Sequence, residues 1–288
     1  MSASDTGKLY LVATPIGNLS DITARAVDTL QEVDFIAAED TRVTRKLLVH
    51  LNIKRPLVSY HEHNRRDSGE RILARILSGE SCALVTDAGT PGISDPGEDL
   101  VLICAEAGVR MVTIPGPCAA VAALALSGLM TGRFTFEGFL STARKSRFER
   151  LHELLAEKRT MVFYEAPHKL LRTLSDMLEV FGDRRISVSR ELTKIYEETL
   201  RLTLSEAISH FSERPPRGEF VLIIEGARDS LDADKGLDEA IVAANIYISE
   251  GFSVKDAVKK AADEIGVPKN TLYNATIKAG AAAPDRPR

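Results

Sequence analysis

Five short apolar runs, each halted by glycine, proline or a carboxylate, constrain this chain more than any other feature. The sharpest is Cys82–Val85, which leads through Thr86, Asp87 and Ala88 into a loop holding Gly89, Pro91, Gly92, Pro96 and Gly97. A run of that length and continuity reads as a buried strand, and the glycines forbid its continuation. Glycine lets a ligand come close to backbone N–H groups, and proline stiffens the loop that presents them. Leu9–Ala13 stops in the same way at Thr14-Pro15-Ile16-Gly17-Asn18, and Val33–Ala38 stops at Glu39-Asp40-Thr41-Arg42. Val109–Ile114 ends at Pro115-Gly116-Pro117-Cys118-Ala119, and Met161–Phe163 at Tyr164-Glu165-Ala166-Pro167. One such loop is equally well a plain surface turn. Five of them, with helical patterns between most, are the pattern of a parallel α/β sheet that holds its ligand at the carboxyl ends of its strands.

The chain of 288 residues exceeds one typical domain. Residues 1–7 read as a flexible leader and residues 8–132 as an α/β domain built on the first strands. Within it, Asp21–Leu30 has amphipathic spacing with Ser20 or Asp21 as its cap. The alternating aromatic and small residues of Thr131–Ser141 mark the passage to a second α/β domain, residues 133–226. There, amphipathic helices at Lys145–Glu157 and Pro167–Val180 accompany strand-like Ile186–Glu191, Glu197–Leu202 and Phe220–Glu225. The alternation in Ile186–Glu191 predicts antiparallel strands with one wet face. Polar, acidic Ala227–Gly236 reads as a linker, residues 237–278 as a helical domain and residues 279–288 as a disordered tail. In the helical part, Ser253–Ile265, the turn Gly266-Val267-Pro268 and Thr271–Ile277 capped by Asn270 resemble a helix-turn-helix unit. Such a unit either contacts phosphates through lysines such as Lys255 and Lys259 or only packs and dimerises.

A net charge of −4 argues against a surface that coats nucleic acid broadly, and no DNA partner is expected. Local basic patches are another matter. Arg42–Arg75 carries nine Lys/Arg against three acids and Arg144–Arg159 six against three. Arg42, Arg45, Lys46, Arg65, Arg66, Arg144 and Lys145 are therefore either RNA phosphate contacts or solvated helix faces. The three cysteines form no CxxC, and Cys82 and Cys104 sit in apolar contexts as small core residues. His61-Glu62-His63 has the wrong spacing for one helical face, so no metal site is expected. The longest apolar stretch, Ala119–Leu126, is too short to cross a bilayer, and the polar N-terminus is no signal peptide. The reading is a cytoplasmic protein with no membrane partner.

The chain lacks the P-loop, the GxGxxG fingerprint and the GxSxG nucleophile elbow. What remains at the strand ends is a set of carboxylates (Glu39, Asp40, Asp87, Glu165) and cations (Arg42, Arg190, Lys194). That set suits group transfer by positioning, with one proton removed. Glu39–Arg42 is equally a helix N-terminal box with an ion pair, and Lys194 a phosphate contact.

The motifs LYLVATPIGNLSDIT, AAEDTR, VTDAGTPGISDPG, IPGPCA, FEGFL, FYEAPH, RELTK and GEFVLIIEG, in that order over about Leu9–Gly226, resemble a known family. It is the bacterial 16S rRNA ribose 2′-O-methyltransferase I family, within the tetrapyrrole-methylase superfamily. The resemblance implies two α/β domains with S-adenosylmethionine in the cleft between them, a homodimer, and a small C-terminal helical domain like the one some members carry. It implies methylation of the ribose 2′-oxygen of a cytidine in the decoding region of 16S rRNA, on the assembled small subunit. The matching cofactor positions are Pro15, Ile16, Gly17, Asp87, Gly89, Thr90, Cys118, Ala119 and Tyr164. Thr86-Asp87-Ala88 departs from the wider superfamily's Gly-Asp-Pro, which puts the contacts around Ala88 in question. For catalysis, Glu39, Asp40 or Glu165 would accept the hydroxyl proton, or Arg190 or Lys194 would lower its pKa. Two other readings stay open: a tetrapyrrole methyltransferase using the same cleft, and a non-catalytic ribosome-assembly factor.

Overall fold

The computed structural model describes residues 6–227 and 230–281. The chain divides into two compact units, one up to Gly226 and the other from Ala227 onward. The leader up to Asp5, Arg228–Asp229 of the expected linker and the tail from residue 282 lie outside the described residues.

The first unit opens on a five-stranded parallel sheet of order β3-β2-β4-β1-β5. Its strands are β1 (Lys8–Val12), β2 (Phe35–Ala38), β3 (Leu57–Ser59), β4 (Cys82–Val85) and β5 (Arg110–Ile114). The helices between them are α1 (Ala24–Glu32), α2 (Thr41–His50), α3 (Arg65–Leu77) and α4 (Glu98–Glu106). Successive strand residues go to opposite faces, and both faces are covered. Leu9, Phe35, Ala37 and Leu84 pack on Ile72 and Ile76 of α3 and on Leu100 and Cys104 of α4. Val12, Ile36, Ala38 and Val85 pack on Ala26 and Leu30 of α1 and Leu48 of α2. Coverage on both faces is why these strands read as unbroken apolar runs. The start of α1 differs from expectation. Asn18 caps a short 3₁₀ turn over Leu19–Asp21, and Thr23, not Ser20 or Asp21, caps the helix by accepting from the Ala26 N–H.

A second sheet in the same unit has order β6-β7-β10-β8-β9. It is built from β6 (Phe134–Phe139), β7 (Thr160–Glu165), β8 (Arg185–Arg190), β9 (Glu198–Thr203) and β10 (Phe220–Ile224). β6 pairs parallel to β7, and the other pairings are antiparallel. The run ending in Tyr164-Glu165 therefore belongs to this mixed sheet and not with the other four, because apolar continuity marks burial and is silent about which sheet buries the strand. One face packs on α6 (Arg144–Glu153), α7 (Leu170–Phe181) and α8 (Leu204–Glu213). The other carries α5 (Ala119–Leu126), whose Ala120, Ala123 and Leu124 lie against Val162, Val221 and Ile223. Small residues let α5 approach the strands closely. With both faces covered, β8 has no wet side: Ser187 and Ser189 are fully buried, and the Ser189 hydroxyl meets that of Thr199 at 2.9 Å. Ser189 thus finds its hydroxyl partner inside the sheet and not in solvent, whereas the Ser187 hydroxyl is buried without a partner among the described residues.

In the second unit, α9 (Ser230–Ser249), α10 (Val254–Ile265) and α11 (Lys269–Ala281) share a core of Ala240, Ala244, Val258, Ala261, Ala262 and Leu272. Helix α9 begins at Ser230, so most of the expected linker is helical. Gly266 ends α10 in the left-handed conformation (φ 78°), and α11 starts at Lys269, earlier than Thr271.

Candidate functional site

Strands β1 and β4 are neighbours, yet the chain leaving β1 enters α1 on one face while the chain leaving β4 enters α4 on the other. Such a divergence opens a crevice at the carboxyl ends of the strands. The two loops are tied across it: the Thr14 N–H donates to the Gly89 carbonyl (2.9 Å), and the Gly89 N–H donates back to Thr14 (3.1 Å). Gly89 holds φ 86°, a conformation that glycine alone adopts without strain. The Thr90 hydroxyl then donates to the Pro117 carbonyl (3.1 Å), joining the loop after β4 to the loop after β5.

A cavity of about 240 Å³ occupies this position. The loops of the first sheet contribute Ile16, Glu39, Asp87, Gly89, Thr90, Cys118 and Ala119. The second sheet contributes Phe139, Tyr164, Glu165, the turn after β8 (Glu191, Leu192, Lys194) and the start of β10 (Glu219–Val221). The Tyr164 hydroxyl accepts from the Ala120 N–H (3.2 Å), stitching α5 to β7, and burial raises its pKa to about 12. Phe136 and Phe139 flank its ring, with centroids 5.2 and 5.5 Å away.

The carboxylates of the site differ sharply in their partners. Glu39 accepts from the Asp87 N–H (3.4 Å) and Asp87 from the Asp40 N–H (3.1 Å); burial raises the pKa of both. Glu165 is buried, accepting from the Ala166 N–H (2.8 Å) and the Thr173 hydroxyl (2.5 Å). Glu191 pairs with Lys194 at 2.9 Å. Asp95 is half-buried and has no hydrogen bond or ion pair among the described residues. Burial first, then the charges of Glu39, Asp87 and Glu219, push its pKa up to about 6.

Of the residues singled out in the sequence, Ile16, Glu39, Asp87, Gly89, Thr90, Cys118, Ala119, Tyr164, Glu165 and Lys194 meet in this cavity. Pro15, Gly17, Asp40 and Arg190 do not line it. Gly17 instead abuts the turn after β8, where a Cβ would stand 2.6 Å from the Lys194 side chain. Asp40 caps α2 and grips Arg42 at 2.7 Å, a hydrogen bond and ion pair that lower its pKa to about 2. Arg190 pairs with Glu198 across β8 and β9 at 2.7 Å. Asp95, Glu191 and Glu219 went unselected. Asp95 carried the only local signal, as a carboxylate inside the glycine-proline loop.

The basic candidates are exposed and lie on three helices. Arg42, Arg45 and Lys46 are on α2, Arg65 and Arg66 on α3, and Arg144 and Lys145 on α6. Arg65 pairs with Asp99 (3.0 Å), whereas Arg66, Arg144 and Lys145 make only loose pairs of 3.8–3.9 Å. Arg147, from the same basic stretch, is 3% exposed and bound to Asp176 at 2.6 Å, a structural pair unavailable to RNA. Among the described residues, no group of three His, Cys, Asp or Glu side chains is placed to hold a metal ion.

Residues 8–208 match the family model for tetrapyrrole (corrin/porphyrin) methylases. Solved structures of similar fold include a cobalt precorrin-4 methyltransferase (TM-score 0.57, 19% identity, covering 78% of this chain and 97% of that one). Diphthine synthase is another (TM-score 0.59, 14% identity, 76% and 90%). Whole-length relatives are far closer in sequence. The ribosomal RNA small subunit methyltransferase I of Synechocystis sp. is 49% identical over 277 residues, 94% of this chain and 98% of that one. The proteins of the same name from Bacillus subtilis and Escherichia coli O157:H7 are 49% and 45% identical, each matched over 94% of this chain and 94% and 95% of their own. The chain belongs to the tetrapyrrole methylases and, within them, to the family of ribosomal RNA small subunit methyltransferase I.

Proposed function

We propose that this chain is an S-adenosylmethionine-dependent methyltransferase for the ribose 2′-hydroxyl of a cytidine in the decoding region of 16S rRNA, in the small ribosomal subunit. The observation that carries the reading is the cavity itself: a crevice at strand ends, with aromatic rings from the second sheet and carboxylates from both. Its residues fit a cationic nucleoside cofactor. Ile16, Cys118, Ala119 and Tyr164 offer apolar and aromatic walls, and Asp87 and Glu39 supply negative charge toward an ammonium or sulfonium group. The loops through Pro15-Ile16-Gly17 and Asp87-Gly89-Thr90 place backbone around it. When bound, the cofactor supplies a methyl already activated by its positive sulfur. The protein then has to align the ribose oxygen, exclude water and take one proton.

Among the carboxylates lining the cavity, Asp95 and Glu219 have no hydrogen bond or ion pair among the described residues, and Asp95, the less exposed of the two, takes that proton. Glu39, Asp87, Glu165 and Glu191 are each held by a donor, and Asp40 is paired with Arg42 outside the cavity. Lys194 stands at the cavity wall, where its positive charge lowers the pKa of a nearby hydroxyl. Arg42, Arg45, Lys46, Arg65, Arg66, Arg144 and Lys145 contact phosphates from the exposed faces of α2, α3 and α6. A homodimer fits the exposed apolar residues of α5 and the edge strand β6, namely Val121, Leu126, Phe134, Phe136 and Phe139. No described helix is long and apolar enough to cross a membrane. An enzyme acting on the small ribosomal subunit would work in the cytoplasm.

The test is methyl transfer from labelled S-adenosylmethionine to unmodified small subunits, run beside a uroporphyrinogen-type tetrapyrrole. Label in RNA alone supports the reading. Label in the macrocycle would instead make the chain a tetrapyrrole methyltransferase, and no cofactor binding by calorimetry would make it an assembly factor.

A further inference from the structure

The turn between β8 and β9 stores strain and displays two bulky apolar side chains at its tip. Glu191 (φ 51°) and Thr193 (φ 68°) both occupy the left-handed region, which is a genuine outlier for a β-branched residue. The turn is nevertheless fixed in place. Leu192 is buried in the core beneath α5. The Lys194 N–H donates to the Glu191 carbonyl (3.0 Å) and the Glu197 N–H to that of Lys194 (3.1 Å). The Thr193 N–H donates to the Glu197 carboxylate (2.6 Å), and its hydroxyl accepts from the Asn18 N–H (3.1 Å), binding the turn to the loop after β1. On this rigid base Ile195 is 94% and Tyr196 76% exposed. Neighbours in the same turn, Glu191, Leu192 and Lys194, form part of the cavity wall.

We propose that Tyr196 is a stacking platform for a nucleobase flanking the nucleotide whose ribose enters the cavity. The proposal rests on the reading of RNA as substrate. A 2′-hydroxyl reaches a crevice of this kind only from an unstacked nucleotide, and the neighbouring base then loses a stacking partner. An aromatic ring on a rigid loop beside the cavity replaces it at little entropic cost. The tip is too small for a stable subunit interface, which takes about 800 Å² from each partner, whereas a base needs a single ring. Tyr196 is therefore a positioning residue that acts on RNA binding and leaves the chemistry to the cavity.

The experiment compares Tyr196→Ala, Tyr196→Leu, Tyr196→Phe and Tyr196→Trp on unmodified small subunits. Stacking worth the usual amount per base predicts that Tyr196→Ala and Tyr196→Leu weaken filter-binding affinity and raise KM by roughly 5- to 150-fold. Their kcat stays within about twofold, the mark of lost uniform binding. Phe and Trp restore both, and calorimetric affinity for S-adenosylmethionine is the same in all. Unchanged affinity in Tyr196→Ala would overturn the proposal. So would a leucine variant that performs like phenylalanine, or a sedimentation shift in Tyr196→Ala that puts the ring at a subunit contact. Failure of the RNA reading is separate, because it shows as a wild-type enzyme that methylates no RNA.

Discussion

Asp40 and Asp95 are both aspartates in loops that follow strands, and their surroundings drive them in opposite directions. The Arg42 guanidinium holds Asp40 ionised, with a pKa of about 2, while burial and three facing carboxylates push Asp95 up to about 6. A base of that strength works near neutrality, so Asp95→Asn is expected to lower kcat by about 10²–10⁴ with cofactor affinity unchanged. In the wild type the rate should fall as pH drops through about 6, where Asp95 takes up its proton. Stability moves the other way. A pKa raised on folding favours the protonated form, so the group's contribution is fullest at acid pH and is lost as pH rises through 6. Asp95→Asn should therefore be more stable than wild type at pH 7.5, by about 1–2 kcal/mol after allowing for solvent screening of a half-buried group. That gain should vanish below about pH 4, where both states are protonated; thermal unfolding at the two pH values checks it. Asp95 could be seen in the sequence as a loop carboxylate. Its isolation could not, because Glu39 and Glu219, which face it, come from the loop after β2 and from the residue before β10.

At the scale of elements, the basic stretch Arg144–Arg159 shows how the same residue type divides between roles. Arg147 lies four residues before buried Leu151 on α6, so it falls on the inward face. There it binds Asp176 of α7 and donates to the Ser141 and Thr142 carbonyls (2.9 and 3.1 Å), fixing the start of α6. Arg147→Ala leaves Asp176 charged and buried, and is expected to cost about 3–5 kcal/mol in denaturant unfolding. Arg144→Ala, on the exposed face, should change stability by no more than about 0.5 kcal/mol while flattening the salt dependence of subunit binding. Charge composition left the segment open between RNA contacts and a solvated helix face, and neither reading foresaw a buried pair, because Asp176 comes from a different helix. Strand positions were legible, since apolar runs bounded by glycine and proline record burial on both faces. Sheet membership was not, because β7 joins β6 and β10 through backbone pairing that side-chain pattern does not encode.

For the whole molecule, the division at Gly226 separates the cores on the two sheets from the core of the three C-terminal helices. A chain ending at Gly226 is expected to fold and to bind S-adenosylmethionine as tightly as the full chain, measured by calorimetry; weaker binding would give the helices a part in the site. The order of motifs along the chain carried the family because most of them end a strand at the cavity, while GEFVLIIEG begins one there, antiparallel to its neighbours. The central claim is methylation at a ribose oxygen, and chemistry offers a direct measurement of it. Small subunits lacking the modification are labelled with methyl from S-adenosylmethionine, and their RNA is hydrolysed in alkali. Label in a dinucleotide that resists alkali is the predicted result, because cleavage needs a free 2′-hydroxyl. Label released in mononucleotides would place the methyl on a base and contradict the account.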